Sequence, residues 1–418
     1  MRKLIVLSII IALVLGSCSF FQRFFRHETA ILWTDQPELA VYAEQFNLMQ
    51  DQYKIEIKYM EQPAAQLVST SEYPDIIVGN WLKSSSTRTF FLGLDTLFNN
   101  DQIRQNAFYP ALLNLGRIDD IQYLLPVSFN IPVAVFSAEH QDMVSNPFTI
   151  TLDEMKELGK NYNVQKDGVY SAMGFSPSAN DEFSFVVSTL FNTSFREGNP
   201  LAWDPIALER SVENLKTWTK EANSNIQSEG DFVFKYFYDP PAKLILSGRI
   251  LFSYLTSYDF FTMGEETRSQ LAFRYISHNN VIPVDERMIY MGIIKKGKAR
   301  EAAKKFVEWF YQDETQRKLL AYTRQNRLSD KLFGIGNGFS ALRTVTESVF
   351  PQFYPNLLGH IPPANYLSPP NILPRNWMTI KEQVILPYLH ERIRNEDRES
   401  IKTLEQRISD WYKLNPIR

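Results

Sequence analysis

The sequence predicts an α/β protein of two lobes, and three observations carry that expectation. Residues 30–81 alternate strand-like and helix-like patterns in the order β-α-β-α-β, which implies a parallel sheet with helices packed on its faces. The chain has 418 residues. Without a leader about 400 remain, more than one core serves, because single cores stop growing near roughly 250 to 300 residues. A β-rich run at 123–136 holds Pro126 and Pro132. Two prolines exclude a central ladder position and fit an edge or a crossing between domains, so the first hinge is placed there.

The chain starts Met1-Arg2-Lys3, continues with an apolar run over 4–15, and reaches Leu15-Gly16-Ser17-Cys18, the only cysteine. A basic start, about a dozen apolar residues and a small-residue site make an export signal, too short to span a membrane, which takes roughly 20 apolar residues. Leu-Gly-Ser-Cys resembles the lipobox of bacterial lipoproteins. That resemblance implies a signal peptide over 1–17, an acylated Cys18 as the new N-terminus, and a tether over 18–29. A plain secretory signal with a free thiol is the alternative. Phe20, Phe21, Phe24 and Phe25 in the tether either lie against a lipid surface or start the fold. Charged residues at 22% and apolar ones at 44% describe an ordinary globular protein. Net charge is −3, with Lys and Arg dispersed, so the basic stripe expected of a nucleic-acid binder is missing.

Residues 30–33 read as a strand. In Thr34-Asp35-Gln36-Pro37 the carboxylate of Asp35 can cap a helix whose first turn accepts Pro37. Leu39, Tyr42, Ala43, Phe46 and Met49 form the helical stripe that follows, and Tyr53, Ile55, Ile57 and Tyr59 alternate as a half-buried strand. Pro74-Asp75-Ile76-Ile77-Val78-Gly79 is a buried strand that stops on glycine. Ligands of such sheets collect beyond the carboxyl ends of the strands, where Trp33, Asp35, Asn80 and Trp81 stand. Thr151 with Glu154 three residues on has the capping-box spacing. Residues 170–220 look mainly helical, and Trp203, Trp218 and the rings of 183–195 read as core. Residues 242–246 read as helix, Ser247-Gly248-Arg249 as its stop, 250–255 as a buried strand of a parallel sheet, and Thr256-Ser257-Tyr258-Asp259-Phe260 as the loop after it. Residues 351–377 are proline-rich and should wrap a surface. Helical patterns return over 379–414.

The 242–260 stretch resembles a segment of bacterial ABC-transporter solute-binding proteins of the sugar-binding type, family 1, where an aromatic after the strand lies under the ligand. Other stretches agree in order: 34–47, Pro74-Asp75-Ile76-Ile77, Leu125-Pro126-Val127-Ser128-Phe129-Asn130, Thr151-Leu152-Asp153-Glu154-Met155, and Ala302-Ala303-Lys304-Lys305-Phe306-Val307. One departure is Ile289-Tyr290-Met291-Gly292, where many members have a Gly-Gly step, which implies a reshaped pocket. The resemblance implies an α/β, two-lobed, periplasmic-binding-protein-like (type II) fold with hinged lobes and a ligand cleft between them. Lobe 1 is expected over 30–130 plus 278–330, lobe 2 over 136–275 plus 331–418, and hinges at 131–137 and 270–280. It further implies a monomeric, exported, lipid-anchored component of an ABC importer that hands a small solute, a carbohydrate, to membrane permease subunits. Trp33, Trp81, Tyr258 and Phe260 would stack on the ligand, and Asp35, Asn80 and Ser128 would hydrogen-bond it. A surface lipoprotein serving as an adhesin or host-factor binder is a second reading, and an exported hydrolase a third.

Catalytic signatures are weak. His390-Glu391-Arg392-Ile393-Arg394 has arginine where a helical zinc site needs its second histidine. Gly334, Gly336 and Gly338 lack the spacing of a phosphate loop, and Asp119-Asp120, Asp181-Glu182 and Glu265-Glu266 read as solvated acids rather than a glycosidase pair. The expectation is a binding protein without catalytic residues, metal or cofactor.

Overall fold

The computed structural model describes residues 27–99, 102–328, 331–395 and 401–415. The signal peptide, Cys18 and most of the tether lie outside the described residues. Among the described residues no helix is long and apolar enough to cross a membrane.

The chain folds into two lobes, each built on its own sheet. The first sheet has six strands in the order Phe339–Ser340, Leu125–Phe129, Ile289–Ile293, Ile76–Gly79, Glu28–Thr34, Tyr53–Tyr59. Glu28–Thr34 pairs parallel with both Tyr53–Tyr59 and Ile76–Gly79, as the β-α-β-α-β pattern requires. Ile289–Ile293 runs antiparallel between Ile76–Gly79 and Leu125–Phe129. Ile76–Gly79 and Ile289–Ile293 are buried throughout. Such unbroken apolar strands need both faces covered. Ile289–Ile293, the stretch where a reshaped pocket was expected, is a buried strand in the middle of this sheet. Helix Leu39–Met49 buries Leu39, Tyr42, Ala43 and Phe46, and helix Arg300–Phe310 buries Phe306 beside them, with the Phe46 and Phe306 rings edge to face at 5.4 Å. Asp75 fastens these layers, accepting from the Ile31 amide at 2.8 Å and the Ala299 amide at 2.7 Å. The second bond caps helix Arg300–Phe310 from outside its own sequence.

The second sheet has the order Ser253–Thr256, Pro132–Ser137, Leu271–Ser277, Thr149–Thr151. Along Pro132–Ser137 the side chains of Val133 and Val135 join one core, while Ala134 and Phe136 join the other. This is the period of two of a strand covered on both faces. The second core holds Phe183, Phe185, Phe195 and Trp218, as their positions suggested. Thr151 caps helix Leu152–Tyr162 by accepting from the Glu154 amide at 3.1 Å, while the Glu154 carboxylate accepts from Ser145 instead of closing the box.

Several expectations need correction. Leu125–Phe129 and Pro132–Ser137 each lie between two partner strands, so the prolines mark a crossing, not an edge. Pro132 is tolerated as the first residue of its strand and Pro126 beside a register shift. The crossings are therefore 130–131 and 278–288, because the 132–137 and 271–277 segments assigned to hinges are strands of the second sheet. The strand placed at 250–255 is Ser253–Thr256, a half-buried antiparallel edge. No loop follows it: Thr256 and Asp259 form a capping box that starts helix Ser257–Phe261. Finally, not all of 331–418 belongs with the second lobe. Phe339–Ser340 pairs with Leu125–Phe129, and Phe333, Ile335, Val345 and Phe350 enter the first core. The proline-rich stretch is then a third crossing. Leu367–Ser368 pairs parallel with Ile282–Pro283, and Leu373 and Trp377 enter the second core. A run of prolines with few free N–H groups suits a connection that needs no ladder of its own.

Candidate functional site

The strands Glu28–Thr34, Ile76–Gly79 and Leu125–Phe129 point the same way, since Ile289–Ile293 is antiparallel to the last two. Their carboxyl ends share one edge of the large sheet and deliver Asp35, Asn80 and Asn130 to it. From these ends a ring of polar groups closes on itself. Asn130 Nδ2 donates to the Asn337 carbonyl at 2.8 Å, and the Asn130 carbonyl accepts from the Asp285 amide at 2.8 Å. Asp285 pairs with Arg287 at 2.6 Å, and the Arg287 carbonyl accepts from Asn80 Nδ2 at 2.6 Å. Gly79, before Asn80, lies so close to Asp35 that a Cβ there would stand 3.8 Å from Asp35 Oδ1. Asp35 adjoins Glu38, and Glu38 adjoins Asn337.

Ser257 braces the ring, donating to Asn130 Oδ1 at 2.6 Å while its own amide donates to the Ile131 carbonyl. The loop carrying Asn337 is held by Tyr42, whose hydroxyl accepts from the Gly336 amide at 3.1 Å, and by Ser128 Oγ, which donates to the Gly336 carbonyl at 2.7 Å. Gly336 has φ +55 and Gly334 φ +62, and a Cβ on Gly334 would meet the Gly338 carbonyl oxygen at 2.1 Å. Glycine is therefore required in this loop for conformation and for close approach.

Glu38 is the group in the ring that stands out. It ends the turn before helix Leu39–Met49 with 3% of its surface exposed, and among the described residues neither carboxylate oxygen has a hydrogen-bond partner of good geometry. Burial pushes its carboxyl up to about 7, its own amide pulls it down, Asp35 pushes it up again, and the nearby Asn337 amide lowers it slightly. Burial likewise raises Asp35, against a 2.6 Å hydrogen bond from Gln36 Nε2. A desolvated carboxylate at a helix N-terminus is a strong, unfilled acceptor. Its titration has a defined sign. From pH 4.5 to about 7 the fold keeps a proton that the unfolded chain has released, so this group's contribution to stability falls as pH rises through that window and is level on either side. Glu38→Gln should match the native protein near pH 4.5 and exceed it by on the order of 3 kcal/mol at pH 8. Urea titrations across that range check it, and a stability difference independent of pH would refute it.

The expected site residues divide. Asp35, Asn80 and Trp81 come together at the sheet edge. Trp81, with φ +53, is half-buried; its indole N–H lacks a partner among the described residues, and its ring walls a small cavity with Met288, Tyr290, Asn371 and Leu373. Trp33 is corrected to core: it is still inside its strand, so its ring lies on a sheet face, with Lys58 Nζ 5.5 Å from its centroid. Ser128 is buried and committed to Gly336. Phe260 has no exposed surface and packs on Phe273 at 4.9 Å and Phe261 at 5.0 Å. Tyr258 is half-buried, with its hydroxyl donating to the Lys331 carbonyl at 3.3 Å. Sequence reasoning missed Glu38, Asn130, Arg287 and Asn337. Asn130 had a signal, as the residue after a strand on the same edge. Asn337 had none, being 207 residues away from its partner.

A second polar cluster joins the crossings to the second lobe. Lys381 is 2% exposed and donates to Glu286 on the second crossing and to Glu182 Oε2 at 2.7 Å, with its Nζ 4.2 Å from the centroid of Phe185. Burial pulls its ammonium down, but the two carboxylates outweigh this and hold it above the usual lysine value. Glu286 also lines a cavity of about 120 Å³ with Thr189, Asn192, Ser194, Pro369 and Asn371.

No protein-family model matches the sequence, and no curated protein matches it. Solved structures match over nearly the whole chain. The sugar-binding protein MalE from the phytopathogen Xanthomonas citri aligns with a TM-score of 0.64 at 10% identity, covering 92% of this chain and 96% of that one. A sugar transporter from Rhizobium etli in an open conformation aligns at 0.62 and 13% identity, covering 93% and 100%. An ABC substrate-binding protein from Listeria monocytogenes in complex with cycloalternan aligns at 0.60 and 13% identity, covering 93% and 99%. This chain has the fold of these proteins: two α/β lobes of periplasmic-binding-protein type.

Proposed function

We propose that this chain, with the fold shared by those sugar-binding proteins, is the solute-binding component of an ABC importer. It takes a carbohydrate between its lobes at the polar ring and passes it to permease subunits, held at the membrane by a lipid on Cys18. The observation that carries the reading is Glu38, a buried carboxylate that lacks a well-formed hydrogen bond among the described residues, at the shared carboxyl edge of three strands. A sugar presents hydroxyl donors in a rigid array. Hydrogen bonds to a desolvated carboxylate are roughly twice as strong as neutral ones. Asp35 and Asn80 add acceptors and a donor beside it, and Trp81 adds an apolar ring face for the C–H side of a pyranose. No covalent step is asked of these residues. They orient and desolvate.

The test is a thermal-shift and calorimetric screen of the full chain against mono- and oligosaccharides, amino acids and polyamines. A sugar should stabilise the protein, by about 2.7 kcal/mol at 100 times its Kd. Glu38→Gln and Asp35→Asn should each weaken that sugar at least tenfold without loss of fold. Stabilisation by amino acids or polyamines alone would overturn the carbohydrate assignment, and sugar binding untouched by both variants would remove it from the ring.

A further inference from the structure

One loop of the first lobe reaches across to the second, and a carboxylate meets it there. The loop is 80–87, which follows strand Ile76–Gly79. Its base is fixed, because Leu82 is fully buried in the first core. Around Leu82 the loop is wound tight. The Ser84 amide donates to the Trp81 carbonyl at 3.2 Å, the Thr87 amide to the Ser84 carbonyl at 3.0 Å, and the Thr87 hydroxyl to the Leu82 carbonyl at 2.5 Å. A loop braced in this way moves as one piece. Two of its residues leave the first lobe. The Trp81 ring packs against the second core, and Ser85 gives both its donors to Glu197, the amide to Oε2 at 2.7 Å and the hydroxyl to Oε1 at 3.0 Å.

Glu197 is mounted firmly on the other lobe. Its amide donates to the Ile372 carbonyl at 2.7 Å, on the third crossing, and its neighbour Arg196 exchanges two backbone hydrogen bonds with Ala202, at 2.8 and 3.0 Å. Phe195, two residues back, is buried in the second core, and its carbonyl accepts from Asn371 Nδ2 at 3.3 Å. A carboxylate that accepts two bonds at once fixes orientation as well as distance, and such charge-assisted bonds are roughly twice as strong as neutral ones. Trp81 holds φ +53, a backbone region that an aromatic residue keeps only where its surroundings hold it there. The second lobe supplies part of those surroundings.

Lobes joined by a few crossings open and close as rigid bodies, and the Ser85–Glu197 pair and the Trp81 packing each join groups on different lobes. We propose that Glu197 is a latch: it fastens the 80–87 loop to the second lobe when the lobes close, sets the Trp81 ring beside the polar ring, and lets both go when they open. Glu197 is then a positioning residue, acting through Ser85 and Trp81 without touching the solute. The inference rests on the reading that a ligand is held between the lobes, but not on which ligand it is.

Hydrogen–deuterium exchange and tryptophan emission on the full chain, purified in detergent, test it without any ligand. In Glu197→Ala the amides of 81–87 should exchange about tenfold faster, while those of 76–79 and 133–137 keep the native rate. The Trp81 contribution to emission, taken as the difference from Trp81→Phe in the same background, should shift to the red and become more open to acrylamide. Glu197→Gln, which keeps one acceptor oxygen, should recover part of both changes. Ser85→Ala, at an exposed position, should move both readouts the same way by less, and combining it with Glu197→Ala should add nothing to Glu197→Ala alone. Native exchange and emission in Glu197→Ala overturn the proposal. Faster exchange with unchanged Trp81 emission also overturns it, since Glu197 then anchors the loop without governing the lobes. Acceleration that spreads equally to 76–79 and 133–137 marks a loss of fold, and Ser85→Ala then decides: no shift in its two readouts overturns the latch. Because no ligand is present, failure here leaves the carbohydrate reading standing, and a screen in which no sugar binds leaves the latch to these two readouts.

Discussion

Lys381→Met should lower stability by about 3 to 5 kcal/mol, the usual consequence of removing one partner of a buried ion pair. The Glu286 side chain is 9% exposed and Lys381 is its short-range cation. Methionine keeps the packing against Phe185 but leaves the carboxylate desolvated and unpaired. Burial already pushes Glu286 up, and without the ammonium that push is unopposed by its nearest cation. The variant's deficit should therefore grow as pH rises, because its folded state retains a proton that the unfolded chain gives up. Adding Glu286→Gln should recover much of it. Denaturant titrations of both variants at pH 5 and pH 8 decide the matter: a deficit below about 1 kcal/mol, flat with pH, would mean that water reaches the pair. The pair fastens the second crossing, where Glu286 lies, to helix-forming residues of the second lobe. Its loss should also loosen the relation between the lobes.

Phe260→Ala should cost a comparable amount, about 3 to 5 kcal/mol, as for other buried phenylalanines cut to alanine. The ring is fully buried between Phe261 and Phe273. Phe261 in turn stacks on Phe333 at 4.6 Å and meets Phe339 at 5.9 Å. This aromatic patch binds helix Ser257–Phe261 of the second lobe to the 331–357 segment of the first, so the cavity would be felt by both. Affinity for a bound sugar should stay within about twofold, since Phe260 does not reach the ring. A variant with weakened affinity and undiminished stability would return Phe260 to the ligand floor where the family resemblance first put it.

Local patterns were legible without the fold. The alternation of Tyr53, Ile55, Ile57 and Tyr59, the stripe of Leu39, Tyr42, Ala43 and Phe46, and the cap at Thr151 rest on contacts two to four residues apart, which periodicity reports directly. So did the parallel start of the first sheet, and with it the edge where Asp35, Asn80 and Trp81 gather. The capping box at Thr256 and Asp259 was equally local. It outweighs the loop suggested by resemblance and turns Phe260 inward.

The rest depended on pairings that no local pattern encodes. Phe339–Ser340 completes the large sheet far along the chain, and it does so because Phe333, Phe339 and Phe350 find their apolar neighbours in the first core. Asn80 meets Arg287, and Asn130 meets Asn337, each across 207 residues. By itself the sequence determined the elements of residues 30–81, their order and one edge of the site, because these follow from side chains a few residues apart. Only the tertiary structure decided that Glu38 is buried with no well-formed hydrogen bond among the described residues, that Trp33, Ser128 and Phe260 are committed inside, and that a proline-rich stretch is the third crossing. Burial and hydrogen-bond satisfaction are properties of the whole packed chain, since they depend on which distant segment removes the water.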